Sequence, residues 1–228
     1  MPEKLPALVF DLDGTLTDSK PGILGCMRKM LALHNLPEPE KPEVILGPQV
    51  EEWVTWMHPQ GTAEEHTAMA RDYRAIYDRE GWDNNSVFAG VAEALADLQR
   101  RGCALYVCTA KRQHFAERIL AAFGLAPFFA GIYGDKEELK SHHKADRLAD
   151  LLRERELGRD AVWMVGDRDN DIDAAHANGI RCVAAAWGYG TPAEWAQADA
   201  IASTPAEVVE KVRAQAPGLA VQQRDAGH

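Results

Sequence analysis

The sequence of 228 residues has no surplus of positive charge. Its 25 lysines and arginines stand against 35 aspartates and glutamates, which gives a formal net charge of −10. A protein that binds a nucleic acid backbone needs a basic surface, so nucleic acid is not an expected partner. A small anionic ligand would need a local positive site instead.

The sequence also has no apolar run long enough to cross a membrane. Its most apolar stretch, residues 119–133, is interrupted by Gly124, Pro127 and Gly131 and is shorter than the roughly 20 residues that a transmembrane helix needs. The first residues lack the charged and apolar regions of a secretion signal. The expected location is the cytoplasm, with no membrane partner.

Cysteine is scarce, and the four cysteines are scattered along the chain. Two of them, Cys108 and Cys182, lie in strand-like runs, where a free cysteine behaves as a small hydrophobic residue. This pattern favours a reducing compartment, in agreement with a cytoplasmic location.

Apolar strand-like runs alternate with helical patterns over most of the chain. After a first run at residues 7–10, further runs lie at 104–108, 129–133, 161–165 and 181–185. The segments between the later runs have apolar residues at helical spacing and are long enough to contain a helix. This alternation predicts an α/β fold with a Rossmann-like core built on a parallel sheet.

Residues 18–85 break this alternation. Apolar residues such as Ile23, Met27 and Met30 recur at helical spacing, a proline-rich stretch follows, and no strand is obvious. The prediction is an α/β core at 1–17 and 86–214, an inserted helical cap at 18–85, and a frayed tail at 215–228. An insert at this place would stand over the end of the first strand, although a simple helical extension is the alternative.

Two carboxylates follow the first apolar run. Asp11 and Asp13 have the same strand parity, and Gly14 allows the backbone to turn sharply after them. Ionised together, the two acids would repel each other unless a cation or a shared proton intervenes, and carboxylate oxygens suit Mg²⁺ together with a phosphate ester. The alternative is an ordinary turn, because Asp-Gly is a frequent turn signal.

Further candidates lie at the ends of later runs. Thr109 precedes a helical pattern, so it either helps bind an anion or merely caps the helix. Asp167 and Asp171 form an acidic cluster after another strand-like run and are further metal-site candidates. Lys144 or Lys140 would supply a cation for a transferring phosphoryl group, and Lys144 is favoured because it opens a helical pattern.

Taken in order, Asp11-x-Asp13-Gly14-Thr15, Thr109, Lys144 and Gly166-Asp167-x-x-x-Asp171 resemble the four motifs of the haloacid dehalogenase superfamily of phosphatases. The insert resembles that superfamily's C1-type helical cap, and the chain as a whole is most similar to the branch that contains phosphoglycolate phosphatase.

The resemblance implies that Asp11 is a nucleophile that forms an aspartyl-phosphate, and that Asp13 acts as acid and then as base. It also implies that Mg²⁺ is held by the Asp11 carboxylate, the Asp13 backbone carbonyl and Asp167, with support from Asp171. The implied phosphate-binding set contains Thr109, Ala110, Lys144 and Gly14. Within this set Ala110 departs from the Ser or Asn that is common after the threonine, and Ala145 replaces a common proline after the lysine.

The expected function is hydrolysis of a small phosphorylated metabolite, of the phosphoglycolate or nucleotide kind, and the sequence does not indicate an oligomeric state. A sugar-phosphate mutase with the same acids is one alternative, and a non-catalytic phosphate-binding or regulatory protein is another. Lys20, Arg28 and Lys29 are either candidates to bind a substrate carboxylate or ordinary surface residues.

Overall fold

The computed structural model describes residues 5–136 and 141–214. In this part of the chain, six strands form a parallel sheet in the order β5-β4-β1-β6-β7-β8. The predicted α/β fold is confirmed, because parallel pairing of buried apolar strands with helical crossovers is the arrangement that the alternating pattern predicts. The strands of this sheet are β1 (Ala7–Phe10), β4 (Leu105–Arg112), β5 (Gly131–Asp135), β6 (Val162–Gly166), β7 (Arg181–Ala185) and β8 (Ala200–Ala202).

Helices cover both faces of the sheet. Alternate residues of β1 point to opposite faces, so Leu8 and Phe10 join one apolar cluster while Ala7 and Val9 join another. The first cluster includes α4, α5 and α9, and the second includes α6 and α7. These helices and a short one are α4 (Val91–Arg100), α5 (Gln113–Ala122), α6 (Lys144–Glu154), α7 (Asp169–Ala177), α8 (Pro192–Trp195) and α9 (Glu207–Ala214).

The predicted cap, residues 18–85, contains a second apolar core. Met27, Met30, Trp53 and Met69 are almost completely buried in it. The cap helices are α1 (Lys20–Leu33), α2 (Val50–Met57) and α3 (Ala63–Glu80), with a short 3-10 helix at Pro42–Ile45. At both junctions with the core the chain forms a strand, β2 (Thr17–Asp18) and β3 (Ser86–Val87), and these two strands pair antiparallel.

Some element boundaries differ from the sequence prediction. β4 continues to Arg112 with a register shift after Cys108, and β5 begins two residues later than predicted. Phe129 suggested an earlier start for β5, but its ring packs edge-on against Phe10, with the ring centroids 6.3 Å apart. The three-residue strand β8 was not predicted, because so short a run carries little pattern.

Two sequence predictions lie outside the described residues, namely the tail at 215–228 and the alternative cation Lys140. Among the helices that the structure describes, none is both long and apolar enough to cross a membrane.

Candidate active site

Two carboxylates lie at the carboxyl end of β1. This strand ends at Phe10, so Asp11 and Asp13 stand at the edge where open parallel sheets bind ligands. Gly14 follows with a φ of +85°, and a Cβ atom on it would lie 2.3 Å from Oδ2 of Asp167. Glycine is required here, because the backbone conformation and the close approach both exclude a side chain. Gly14 thus allows the chain after β1 to pack closely against Asp167, which follows β6. Gly14 is not among the residues that line the neighbouring cavity.

Three buried carboxylates form a cluster at this edge. Asp11 follows β1, Asp167 follows β6, and Asp171 lies in the first turn of α7. Each offers one carboxylate oxygen, and these oxygens lie within 4.8 Å of one another. Asp167 accepts hydrogen bonds from the Thr15 hydroxyl at 3.1 Å and from the Tyr189 backbone N–H at 2.8 Å, which fix its orientation.

The charge of this cluster suits a divalent cation. When all three carboxylates are ionised, the ammonium of Lys144 offsets only one of their charges and leaves two uncompensated. Burial raises the pKa of Asp11 to about 6 against the opposing effect of Lys144, while Asp171 and Asp13 add to the rise. Burial, Asp171 and Asp11 also raise the pKa of Asp167. Hard oxygen ligands with excess charge fit Mg²⁺.

Lys144 is the first residue of α6 and is buried against the acid cluster. Its Nζ lies 3.1 Å from Oδ1 of Asp11 and 2.5 Å from Oδ1 of Asp171. Burial alone would lower the pKa of Lys144, but the two carboxylates outweigh it and raise that pKa above its ordinary value. Lys144 is therefore a permanent cation beside the predicted nucleophile.

Thr109 lies inside the extended part of β4, so the helix-capping alternative is wrong. The following helix α5 begins only at Gln113, and the Thr109 hydroxyl instead accepts a hydrogen bond from the Lys111 backbone N–H at 3.2 Å. The Thr109 carbonyl accepts a hydrogen bond at 3.0 Å from Arg147, a buried side chain that also pairs with Asp135 at 2.7 Å. This buried ion pair holds the Thr109 backbone in place.

Asp13 has different neighbours from Asp11. Its carboxylate does not join the acid cluster, and its Oδ2 lies 2.8 Å from Nζ of Lys111. The same ammonium donates a hydrogen bond at 2.7 Å to the hydroxyl of Tyr77, a residue of the cap helix α3. The two acids after β1 thus occupy unequal surroundings, one next to the cluster and the other next to the cap.

A cavity of about 120 Å³ lies between the core and the cap segment. Asp11, Asp13, Thr109, Ala110 and Lys144 all line it from the core side. Its cap side includes residues of α2, α3 and the segment before α2, and most of these are aromatic or aliphatic, although Glu51 and Arg74 also line it. The cavity therefore has the acids, Thr109 and Lys144 on its core side and a largely apolar cap side with one charged pair.

The basic residues of α1 do not contribute to this cavity. Lys20, Arg28 and Lys29 each pair with a glutamate of the cap segment, and in the described part of the chain none of the three lines the cavity. The surface interpretation of these residues is therefore the one that the structure supports.

The sequence reasoning missed several residues that hold the cap segment to the core. Arg168 donates a hydrogen bond to the Leu46 carbonyl of the cap and pairs with Glu194 of the core at 2.7 Å. Gln49 donates a hydrogen bond to the His142 carbonyl at 2.6 Å. These contacts join residues that are far apart in the sequence. The only sequence feature that could have pointed to such residues is a position next to a motif.

The chain belongs to the haloacid dehalogenase-like hydrolase family, whose model matches residues 8–185. The matched range includes the acid cluster, Thr109 and Lys144. The sequence-based identification with the phosphatases of this superfamily is confirmed.

Several known proteins are similar to this chain. Tyrosine-protein kinase PtkA of Mycobacterium tuberculosis is 40% identical over 211 residues, which are 91% of this chain and 69% of that protein. A 5'-nucleotidase of Pseudomonas aeruginosa is 34% identical, covering 84% of this chain and 87% of the other. A phosphoglycolate phosphatase of Xanthomonas campestris is 31% identical, with 90% and 95% covered.

Solved structures agree with the fold. A predicted phosphatase from Clostridium acetobutylicum has a TM-score of 0.85 at 27% identity, and 92% of this chain and 99% of the other are covered. The PtkA structure of M. tuberculosis has a TM-score of 0.77 at 37% identity, with the same coverage.

Proposed function

We propose that this protein hydrolyses a small phosphate monoester through an aspartyl-phosphate on Asp11, with Mg²⁺ as its cofactor. The observation that carries the proposal is the unequal environment of the two acids after β1. Asp11 lies beside the acid cluster and Lys144, whereas Asp13 lies beside Lys111 and the cap. Two carboxylates in different surroundings suit two different roles in one reaction.

Mg²⁺ would be held by Asp11, Asp167 and Asp171, together with the backbone carbonyl of Asp13. When bound, the metal supplies positive charge that neutralises the phosphoryl oxygens. The buried cluster of three carboxylates, which carries two excess negative charges when all three are ionised, supports this ligand set.

The side chains then divide the remaining work. The ionised Asp11 carboxylate attacks phosphorus, and the ester oxygen leaves as it accepts a proton from Asp13. Asp13 next takes a proton from the water that hydrolyses the aspartyl-phosphate. The Lys144 ammonium and the Thr109 hydroxyl would bind phosphoryl oxygens and stabilise the charge that develops on them.

Relatives support the substrate class at a coarse level. Two relatives are named phosphoglycolate phosphatase and 5'-nucleotidase, and both names denote enzymes that hydrolyse phosphate esters. A small phosphorylated metabolite is therefore the proposed substrate. Four free and buried cysteines support a reducing location such as the cytoplasm.

A second candidate is phosphoryl transfer to a tyrosine hydroxyl. It is favoured by the 40% identity to a protein named tyrosine-protein kinase, which is a higher identity than that of the phosphatases cited above. The same Asp11 would serve this reaction, but the acceptor would be a phenol instead of water.

Phosphate release from a panel of glycolate, sugar and nucleotide monophosphates tests the hydrolase proposal. We expect release with Mg²⁺, loss of release with EDTA, and recovery when Mg²⁺ is added back. Asp11→Asn should abolish turnover while circular dichroism remains that of the wild type. Transfer of phosphate from ATP to a tyrosine peptide, without release from any monoester, would favour the kinase-like candidate and contradict the hydrolase.

A further inference from the structure

Lys111 is a buried cation in the wall of the cavity. Only 9% of its side chain is exposed, and its Nζ is held between the core and the cap segment, 2.8 Å from Asp13 Oδ2 and 2.7 Å from the Tyr77 hydroxyl. The ammonium also lies 4.6 Å from the centroid of the Tyr77 ring. A charge buried in this way is costly unless it is paired, and Asp13 and the Tyr77 hydroxyl supply the partners.

The ammonium of Lys111 has capacity for another partner. Lysine can donate three hydrogen bonds, and the described residues supply two acceptors, Asp13 and Tyr77. These two contacts leave one N–H of the Lys111 ammonium for a further acceptor.

The other basic side chains that line the cavity in the described part of the chain have partners other than Asp13 or interactions of their own. Lys144 lies between two carboxylates of the acid cluster, and Arg168 is bound to Glu194 and to a cap carbonyl. Arg74 pairs with Glu51, and Arg112 also has an interaction of its own. Lys111 is the cation that adjoins Asp13, the acid assigned to the leaving group.

We propose that Lys111, held in place by Tyr77, is a specificity-determining residue that binds a carboxylate on the leaving alcohol of the substrate. This inference rests on the proposed function, because the position of the leaving group follows from the role of Asp13. In 2-phosphoglycolate one methylene group separates the carboxylate from the ester oxygen, so a carboxylate there would lie near an ammonium that contacts Asp13. When Asp13 holds the proton that it donates to the leaving group, the one positive charge and the spare N–H of Lys111 match a singly charged carboxylate better than a second phosphate group, which would require more cations.

The test compares 2-phosphoglycolate with 2-hydroxyethyl phosphate, in which a neutral hydroxymethyl group replaces the carboxylate. The measured quantity is the ratio of kcat/KM for the two esters, with Mg²⁺ present. Lys111→Met should lower this ratio about 10- to 100-fold, mainly through KM for phosphoglycolate, because a charged hydrogen bond is lost. Lys111→Arg should retain most of the ratio.

Tyr77→Phe should lower the ratio by a smaller factor, because it removes the hydroxyl while keeping the ring that packs against Phe115. Lys29→Met is the matched control, since it removes the same charge from an exposed position of α1 that pairs with Glu80 outside the cavity. This variant should leave the ratio unchanged.

Binding of the intact esters to Asp11→Asn, measured by calorimetry with Mg²⁺, separates this inference from the proposed function. If the wild type hydrolyses no monoester, the proposed function is wrong, and the effect of Lys111→Met on binding to the Asp11→Asn protein still decides the inference. An unchanged preference between the two esters in Lys111→Met, in either hydrolysis or binding, would overturn the role of Lys111. The folding of each variant is checked by thermal denaturation, and if Lys111→Met does not fold, Tyr77→Phe and Lys111→Arg decide.

Discussion

Replacing Asp11 by asparagine should change the pH dependence of stability as well as the activity. Burial raises the pKa of Asp11 from its ordinary value of 3.8 to about 6. Between these two pH values the folded protein without metal binds more protons than the unfolded chain. Asp11 therefore does not weaken the fold below about pH 4, and it weakens the fold progressively as the pH rises toward 6.

The size of this effect follows from the shift. A rise of about two pKa units at 1.36 kcal/mol per unit corresponds to about 3 kcal/mol of stability lost by pH 7, of which about half falls between pH 5 and pH 7.5. Asp11→Asn removes this loss, because its side chain does not ionise. Lys144 loses one partner in the variant, but this cost is constant over the same range, since Lys144 stays charged throughout.

Urea denaturation followed by tryptophan fluorescence measures the effect in EDTA at a series of pH values. The free energy of unfolding of Asp11→Asn, relative to the wild type, should rise by about 1.5 kcal/mol from pH 5 to pH 7.5. Saturating Mg²⁺ should reverse this trend, because the cation stabilises the ionised carboxylate of the wild type. If the difference in the free energy of unfolding between Asp11→Asn and the wild type stays constant with pH in EDTA, the argument that burial destabilises the ionised form of Asp11 is refuted.

The remaining predictions concern other residues around the site. Lys144→Ala should lower kcat about 10²- to 10³-fold in a phosphate-release assay, whereas Lys140→Ala should have a mild effect, and equal mild losses would contradict the assignment of Lys144. Arg147→Met should lower the free energy of unfolding by roughly 3 to 5 kcal/mol in urea titrations, because it removes the guanidinium from the buried Asp135 carboxylate, which keeps only the contact with His142 at 2.7 Å among the described ion pairs. Gly14→Ala should weaken Mg²⁺ binding, measured as the Mg²⁺-dependent rise in Tm, because the new methyl group would press on a carboxylate of the acid cluster.

The core sheet and the acid cluster were predictable from the sequence because their signals are local. The apolar run before Asp11 and the run before Asp167 both read as buried strands, and parallel strands bring their carboxyl ends to one edge. Lys144 could be found in the same way, because it opens the helix that precedes β6. In the structure these residues lie together, and the strands and helices that carry them follow one another along the chain in the predicted order.

The contacts between core and cap could not be predicted, because they depend on how two separately packed units meet. Tyr77 and Lys111 are 34 positions apart in the sequence, and no periodicity relates them. The buried pair of Arg147 and Asp135 was missed for a related reason, since an arginine on a helical pattern normally faces solvent. Thr109 was misjudged as a possible helix cap because the irregular end of β4 has no local signature.

The small antiparallel sheet of β2 and β3 has a consequence for how the molecule can move. The two crossings of the chain between core and cap are paired side by side, Thr17 with Val87 and Asp18 with Ser86. We expect two adjacent, hydrogen-bonded crossings to act as a single hinge, so that any motion of the cap segment that breaks its other contacts with the core is a rotation about this hinge. Asp13 forms a bridge with Thr17 at the start of this hinge, so the acid proposed for the leaving group would be displaced little by such a rotation.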